Sequence, residues 1–257
     1  MNHIEILSNP STEDFSDEWY EIATENHFWL KWRLRVFLQQ MKDIGISRED
    51  TFKVLEIGCG HGVLRRQLEN HTNWCIDGCD LNKEVLLKNK VKRGRTLLYN
   101  IHDRASSFEK TYDFIILFDI LEHIENTDNF LKSILYHLKD GGWLFINVPA
   151  LNSMMSQYDR AIGHLRRYNI NILQRELSLH GLEVKDLRYW GFSILPLLLM
   201  RKFMNFKRYE TKNIIRKGFT PPNLLVNNLL RKIMQVETLF IKKPIIGTSL
   251  MTAVIKL

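Results

Sequence analysis

The chain reads as a doubly wound α/β domain. The expected architecture is a seven-stranded sheet with helices on both faces, helices before it, and a helical insertion between the last two strands. Three features lead there. Short runs rich in Val, Ile, Leu and Phe alternate with stretches of helical periodicity over most of the 257 residues. A glycine cluster at 58, 60 and 62 follows the first run directly. An acid, Asp80, ends the second run about twenty residues later, a spacing met in nucleotide-binding folds.

The elements follow in order. Residues 15–49 hold N-terminal helices, since Trp19, Tyr20, Phe28, Trp29, Trp32, Val36, Phe37 and Met41 recur on broad apolar faces. The core spans 50–191. KVLEI (53–57), CIDGC (75–79), TLLYN (96–100), YDFIILF (112–118) and GWLFINV (142–148) have the apolar content of buried parallel strands. Between the last two, Phe130, Leu131, Ile134, Leu135 and Leu138 share a helix face, and Gly141-Gly142 is the expected stop. A further helix runs from Ile170 to His180, with Asn169 as its N-cap and Gly181 as its end. EVKDLRYW (183–190) and LMTAVIKL (250–257) are the remaining strands. The stretch between them is too long for a hairpin loop, so 192–247 reads as a helical cap before a last strand at 248–257. The whole is one domain.

Composition excludes several classes. A charged share of 25% and a hydrophobic share of 45% fit an ordinary globular protein. Cys59, Cys75 and Cys79 form no C-x-x-C pair, so they are expected as reduced thiols, and no metal site is expected. The N-terminus carries no basic and apolar leader pattern, which points to a cytoplasmic location. The net charge of +7 is unevenly spread. Residues 1–30 hold seven acids and no Lys or Arg, whereas 201–217 hold seven bases against Glu210 alone.

Three segments carry chemistry. In VLEIGCGHGV (54–63) a buried strand turns through glycines into a helix, which allows the backbone to approach a ligand closely. A nicotinamide fingerprint needs a third glycine where Val63 stands, and a phosphate-cradling loop needs Gly-Lys-Ser/Thr. Neither is met. Asp80 supplies a carboxylate suited to both hydroxyls of a ribose. FDILEHI (118–124) then places Asp119, Glu122 and His123 where a strand reaches its carboxyl edge, the edge at which open α/β sheets bind ligands.

Taken together, VLEIGCGHG, the Asp80 strand end, YDFIILFDILEHI and LKDGGWLFINVPA resemble the class I S-adenosylmethionine-dependent methyltransferases. The likeness is greatest to the small-molecule branch typified by ubiquinone-biosynthesis O-methyltransferases. It covers about residues 50–150 and implies a Rossmann-like sheet that binds S-adenosyl-L-methionine. By that resemblance Glu56, Gly58, Cys59, Gly60 and Gly62 line the methionine end of the cofactor. Asp80 holds the ribose with Leu81 beside the adenine, Ile101, His102 or Asp103 supplies the further adenine contact where the family usually has an acid, and Asp119 and Ile120 flank the methionine moiety and the transferable methyl. The segment DRAIGHLRRY (159–168) and the GTSL start of the last strand resemble a bacterial subgroup found among glycan, lipid and secondary-metabolite methyltransferases.

A hydroxyl acceptor must lose a proton, and a neutral imidazole suits that task. His123 is the first expected base and His164 the second. Glu122, Arg166, Arg167 and Tyr168 are expected around the acceptor, the two arginines pairing with a carboxylate or phosphate. Trp29 and Trp32, with His27 and Arg33, are equally suited to a lid over the cofactor or to the core. The acceptor is expected to be a small molecule or a lipid- or glycan-linked one. The Asn/Asp-Pro-Pro-aromatic motif of nucleic-acid amino-methylases is replaced by Asp119-Ile-Leu-Glu122, so no nucleic-acid partner is expected. A nucleic-acid or protein methyltransferase and a non-catalytic cofactor-binding protein remain the alternatives. Finally, the apolar run 190–200 is too short to span a bilayer, which takes about twenty residues. Followed at once by the basic stretch, it marks 190–217 as a candidate for peripheral contact with an anionic membrane.

Overall fold

Eight strands build one sheet: β1 (Ile4–Ile6), β2 (Lys53–Ile57), β3 (Cys75–Asp80), β4 (Thr96–Leu98), β5 (Tyr112–Phe118), β6 (Leu138–Pro149), β7 (Leu182–Trp190) and β8 (Ser249–Lys256). They lie in the order β1-β4-β3-β2-β5-β6-β8-β7 in the computed structural model, which describes residues 3–10, 22–203, 213–214, 220 and 223–257. The pairs from β1 through β6 are parallel, and β8 runs antiparallel between β6 and β7. Seven of the strands are those expected. The eighth, β1, has three residues paired to Thr96–Leu98, too few to leave a periodic signal. Chain order reverses between β2 and β5, so the crevice at their carboxyl ends is where this topology accepts a ligand.

Alternation along β5 explains the layering. Phe114, Ile116 and Phe118 face one core with Phe37, Trp74, Phe145 and Trp190, while Ile115 and Leu117 face another with Tyr99, Leu131 and Leu177. Among the described residues the named helices are α1 (Phe28–Asp43), α2 (Val63–Glu69), α3 (Lys83–Leu87), α4 (Thr127–His137), α5 (Gln157–Ala161), α6 (Ile170–Ser178), α7 (Leu195–Phe203) and α8 (Leu224–Phe240).

Helix α1 begins where His27 caps it, its ring accepting from the Trp29 amide at 3.2 Å. The expected helical residues 15–21 lie outside the described residues. Trp32 and Phe37 are core residues. Gln40 donates to Asp186 at 2.9 Å and Arg188 to Asp43 at 2.9 Å, which ties α1 to β7.

Two local expectations need correction. Helix α4 stops at His137, not at Gly141-Gly142, because Leu138 already pairs with Tyr112 and the sheet takes over the chain. Asn169 stands at the start of α6 but makes no side-chain cap; its side chain accepts from the Asn152 amide at 3.5 Å instead. Cys59 and Cys79 are buried thiols, whereas Cys75 is exposed.

The insertion does form helices, and α8 packs on α1. Trp32 Nε1 donates to Thr238 Oγ1 at 3.0 Å, and the Phe28 amide to Asn227 Oδ1 at 3.3 Å. Glu237 is buried and accepts from the amides of Gly191, Phe192 and Ser193 at 3.1, 3.0 and 2.6 Å, which clamps α8 to the end of β7.

Candidate active site

The glycine turn closes off β2. Gly58, Gly60 and Gly62 all have positive φ, at 69°, 50° and 79°. Side chains are excluded there by space as well. A Cβ on Gly58 would sit 2.2 Å from Ile120 Cδ1, and one on Gly62 would meet the Asn89 amide. The turn is held from below: the Gly58 and Cys59 amides donate to the Cys79 carbonyl, at 2.9 and 3.0 Å.

Asp80 reaches the same turn. Its Oδ2 accepts from the Gly60 amide at 2.9 Å and its Oδ1 from the Asn82 amide at 2.9 Å. Burial raises its pKa, while these amide bonds oppose the rise. Glu56 lies beneath, buried, with Oε2 lacking a partner among the described residues. Burial pushes its carboxyl up to about 8, against the pull of Arg65 and Arg33. Burial also raises the Cys59 thiol well above its ordinary value, so it is inert. Leu81 is half-buried beside Asp80. Ile101 is buried in a short 3-10 turn, where its neighbours are occupied: His102 meets Ser133 Oγ at 3.1 Å and Asp103 accepts from Ser8 at 2.5 Å.

Across the crevice Asp119 has φ 59°, a left-handed conformation uncommon for a residue with a side chain. It is fixed by an ion pair with Arg33 of α1 and by Asn147 Nδ2, which donates to its Oδ1 at 2.7 Å. Asn147 in turn accepts from Trp190 Nε1 at 2.8 Å. Trp29 lies 5.3 Å from the Arg33 guanidinium and packs at 5.3 Å against Trp190, the rings tilted by 36°. Arg33 therefore reaches the crevice residue Asp119, whereas Trp32 lies in the core and Trp29 packs against its margin. The Arg33–Asp119 pair joins residues 86 positions apart, and Asn147 was detectable only as a polar residue in an apolar strand.

Beyond Asp119 the chain makes a 3-10 turn, Leu121–His123. Glu122 is fully buried, with neither carboxylate oxygen bonded among the described residues. Burial and the neighbouring Asp119 charge raise its pKa well above the ordinary value. His123 Nδ1 lies 3.1 Å from the Gly163 carbonyl, so that nitrogen carries the hydrogen and Nε2 is the basic one. Burial, and then the second imidazole at His164, lower its pKa to about 4. The two rings meet edge to face at 4.8 Å.

His164 is bracketed by acids, with Nε2 3.6 Å from Glu122 Oε1 and Nδ1 3.4 Å from Asp159 Oδ1. The carboxyl of Asp159 is held below its ordinary value by His164, Arg167 and Ser156, which outweigh its burial. Asp159 carried no signal of its own in the sequence. Glu122, His123 and His164 present ligand-type atoms all within 4.8 Å of one another, a cluster that distances of about forty residues in sequence concealed.

The expected acceptor residues divide. Arg166 is half-buried, and its Nη2 donates to the Glu125 carbonyl at 3.1 Å. Arg167 does not face the crevice: it is buried on Asp159 at 2.6 Å and on the Ala150 carbonyl at 2.8 Å. Tyr168 is likewise fully buried in the core beneath α6. Both are drawn in because the 159–168 loop is stitched to the end of β6 by the Leu151–Tyr168 and Tyr168–Pro149 backbone bonds. A cavity of about 250 Å³ opens at the opposite edge of the sheet, lined by Phe52, Asp113, Lys139 and Trp143, and none of the expected site residues lines it.

This geometry has known counterparts. A family model described as a methyltransferase domain matches residues 22–187. The chain belongs to that family, and so to the class I S-adenosylmethionine-dependent methyltransferases. It is 27% identical over 117 residues to a mitochondrial ubiquinone biosynthesis O-methyltransferase of Candida albicans, covering 42% of this chain and 36% of that protein. Against the ubiquinone biosynthesis O-methyltransferase of Vibrio vulnificus strain YJ016 it is 26% identical over 159 residues, covering 58% and 64%. The matches therefore span from about a third to under two thirds of these relatives. Among solved structures, phosphoethanolamine N-methyltransferase 2 of Haemonchus contortus, in complex with S-adenosyl-L-methionine, superimposes with TM-score 0.52 at 17% identity, over 85% of this chain and 51% of that one. An S-adenosylmethionine-dependent methyltransferase of Mesorhizobium loti gives 0.54 at 11%, over 86% and 98%. At such identities the structures speak for the fold alone.

Proposed function

We propose that this chain methylates a hydroxyl of a small, lipid-linked or glycan-linked acceptor, by in-line displacement, and that a histidine of the 123/164 pair takes the hydroxyl proton. The observation that carries this is the pair of imidazoles 4.8 Å apart, immediately beyond Asp119 and Ile120 at the carboxyl edge.

The residues present fit the class cofactor. Gly58, Gly60 and Gly62 carry the turn at positive φ, a side chain at 58 or 62 would collide with its neighbours, and Glu56 offers a buried carboxylate oxygen, unpaired among the described residues, suited to an ammonium group. Asp80 and Leu81 would hold the ribose and the adenine face, with Ile101 beside them. Asp119 and Ile120 would border the methionine end. The cofactor supplies an electrophilic methyl on a sulfonium sulfur. The acceptor oxygen forms the new bond to that carbon as the carbon–sulfur bond breaks, and its proton passes to imidazole. Nε2 of His123 is positioned for it; His164, oriented between Asp159 and Glu122, is the alternative acceptor or the next station. Arg166, half-buried and not paired with a carboxylate among the described residues, is the arginine suited to an anionic part of the acceptor.

A second reading rests on the Glu122–His123–His164 cluster. A divalent cation held there would lower the pKa of a bound hydroxyl and remove the need for a base. The acceptor class also bears on location: a lipid-linked acceptor agrees with membrane contact through 190–217. The test is methyl transfer to phenolic and lipid-linked hydroxyl acceptors, with and without chelator, in wild type and in His123→Ala and His164→Ala. Amine acceptors methylated in preference to every hydroxyl would defeat the reading.

A further inference from the structure

Helix α8 is amphipathic in an unusual sense. Its inner side, Asn227, Leu230, Met234, Glu237 and Thr238, packs against α1 and the end of β7 through the bonds described above. On the opposite side stand Leu225, Leu229, Ile233, Val236 and Phe240, all exposed, with Leu225 at 80% and Phe240 at 81%. At 3.6 residues per turn these five fall within an arc of about 80° along a helix about 25 Å long. Met200 and Phe203 of α7 are exposed as well. A contiguous apolar strip of this size on a folded domain marks a contact surface.

Charge selects the occupant. Residues 192–203 and 223–246 contain six bases, Arg201, Lys202, Arg231, Lys232, Lys242 and Lys243, and one acid. That acid, Glu237, is buried and spent on backbone amides. Lys232 borders the strip and Lys242 lies just past its end, both exposed. A second copy of the chain would set bases against bases. An anionic lipid surface satisfies both halves, the apolar side chains entering the acyl boundary and the lysines meeting headgroups. No helix among the described residues is long and apolar enough to cross a membrane, so the contact is peripheral.

We infer that the outer face of α8 docks this protein on an anionic bilayer surface. The contact is centred farther along the chain than the 190–217 stretch suggested, because Trp190 and Leu198 of that run are buried in the fold. It deepens the reading of a lipid-linked acceptor, and its test does not depend on turnover. The protein is sedimented with phosphatidylcholine vesicles, alone or containing phosphatidylglycerol, at low and high salt. The wild type pellets with the anionic vesicles, less so at high salt, and not with the neutral ones. Leu225→Ser with Phe240→Ser, both solvent-facing, abolishes pelleting, and Lys232→Glu with Lys242→Glu does the same. Stabilisation of each variant by S-adenosylhomocysteine shows that the fold and cofactor site persist, which separates failure here from failure of the methyltransfer reading. Pelleting that ignores lipid charge, variants that pellet like wild type, or self-association in gel filtration that the serine variant loses, would each overturn the inference.

Discussion

Arg167 donates to Oδ1 of Asp159 at 2.6 Å, and that same oxygen lies 3.4 Å from Nδ1 of His164. One buried carboxylate thus anchors the loop and orients an imidazole of the site. Arg167→Gln leaves that carboxylate without its cation and should destabilise the protein by about 3–5 kcal/mol. Arg166→Gln, at a half-buried position that loses one bond to the Glu125 carbonyl, should cost only about 0.5–1.5 kcal/mol. Urea denaturation of the two variants checks this, and equal midpoints would contradict the buried pairing.

The turn after β2 should tolerate little. Gly58→Ala combines a φ of 69° with a Cβ 2.2 Å from Ile120 Cδ1, and Asp80→Ala removes the acceptor for the Gly60 amide. Gly60→Val puts a branched side chain where the methionine moiety is expected. Calorimetry with S-adenosylhomocysteine should show lost binding in Gly60→Val and Asp80→Ala, with the far-UV spectrum retained.

Glu56 makes the protein pH-sensitive in a definite direction. Its folded pKa, about 8, lies above the ordinary 4.5, so the native state binds the extra proton between those values. Stability from this group is full below about pH 4.5 and is lost as pH rises through 8. Glu56→Gln should therefore raise the melting temperature of the cofactor-free protein at pH 8.5 and leave it little changed at pH 4.5. The same variant should bind S-adenosylhomocysteine more weakly at pH 8.5, where the ionised carboxylate would have paired with the cofactor's ammonium. A melting difference that grows toward acid pH would be the wrong sign.

His123→Ala should reduce turnover on a hydroxyl acceptor by roughly 10²–10⁴-fold with cofactor affinity unchanged. Because the His123 pKa is lowered to about 4, the wild-type kcat should not fall from protonation of this group until pH approaches that value. Turnover that persists in His123→Ala and is lost in His164→Ala would assign the base role to His164.

Much of this was legible in one dimension. Glycines at 58, 60 and 62 after a buried strand, and Asp80 at the end of the next, act through backbone geometry and short-range spacing, and such constraints are written locally. The same holds for the strand interiors, where apolar runs such as 112–118 reflect burial on both faces. Strand β1 and the end of α4 were not legible, because a three-residue pairing and a competing ladder leave no pattern of their own.

What the sequence by itself determined is the fold, the glycine turn and the family, since each depends on residues close together in the chain. Tertiary structure alone decided which polar groups serve the site and which serve the scaffold. Adjacent arginines at 166 and 167 look equivalent in sequence, yet one is half-buried on a backbone carbonyl and the other is buried on the Asp159 carboxylate. Arg33 meets Asp119, and His164 meets His123, across long stretches of chain. In α8 the apolar positions that periodicity would assign to the core face outward, because Asn227, Glu237 and Thr238 hold the other side against α1 and β7. Long-range packing and desolvation made those choices, and neither acts until the chain has closed on itself.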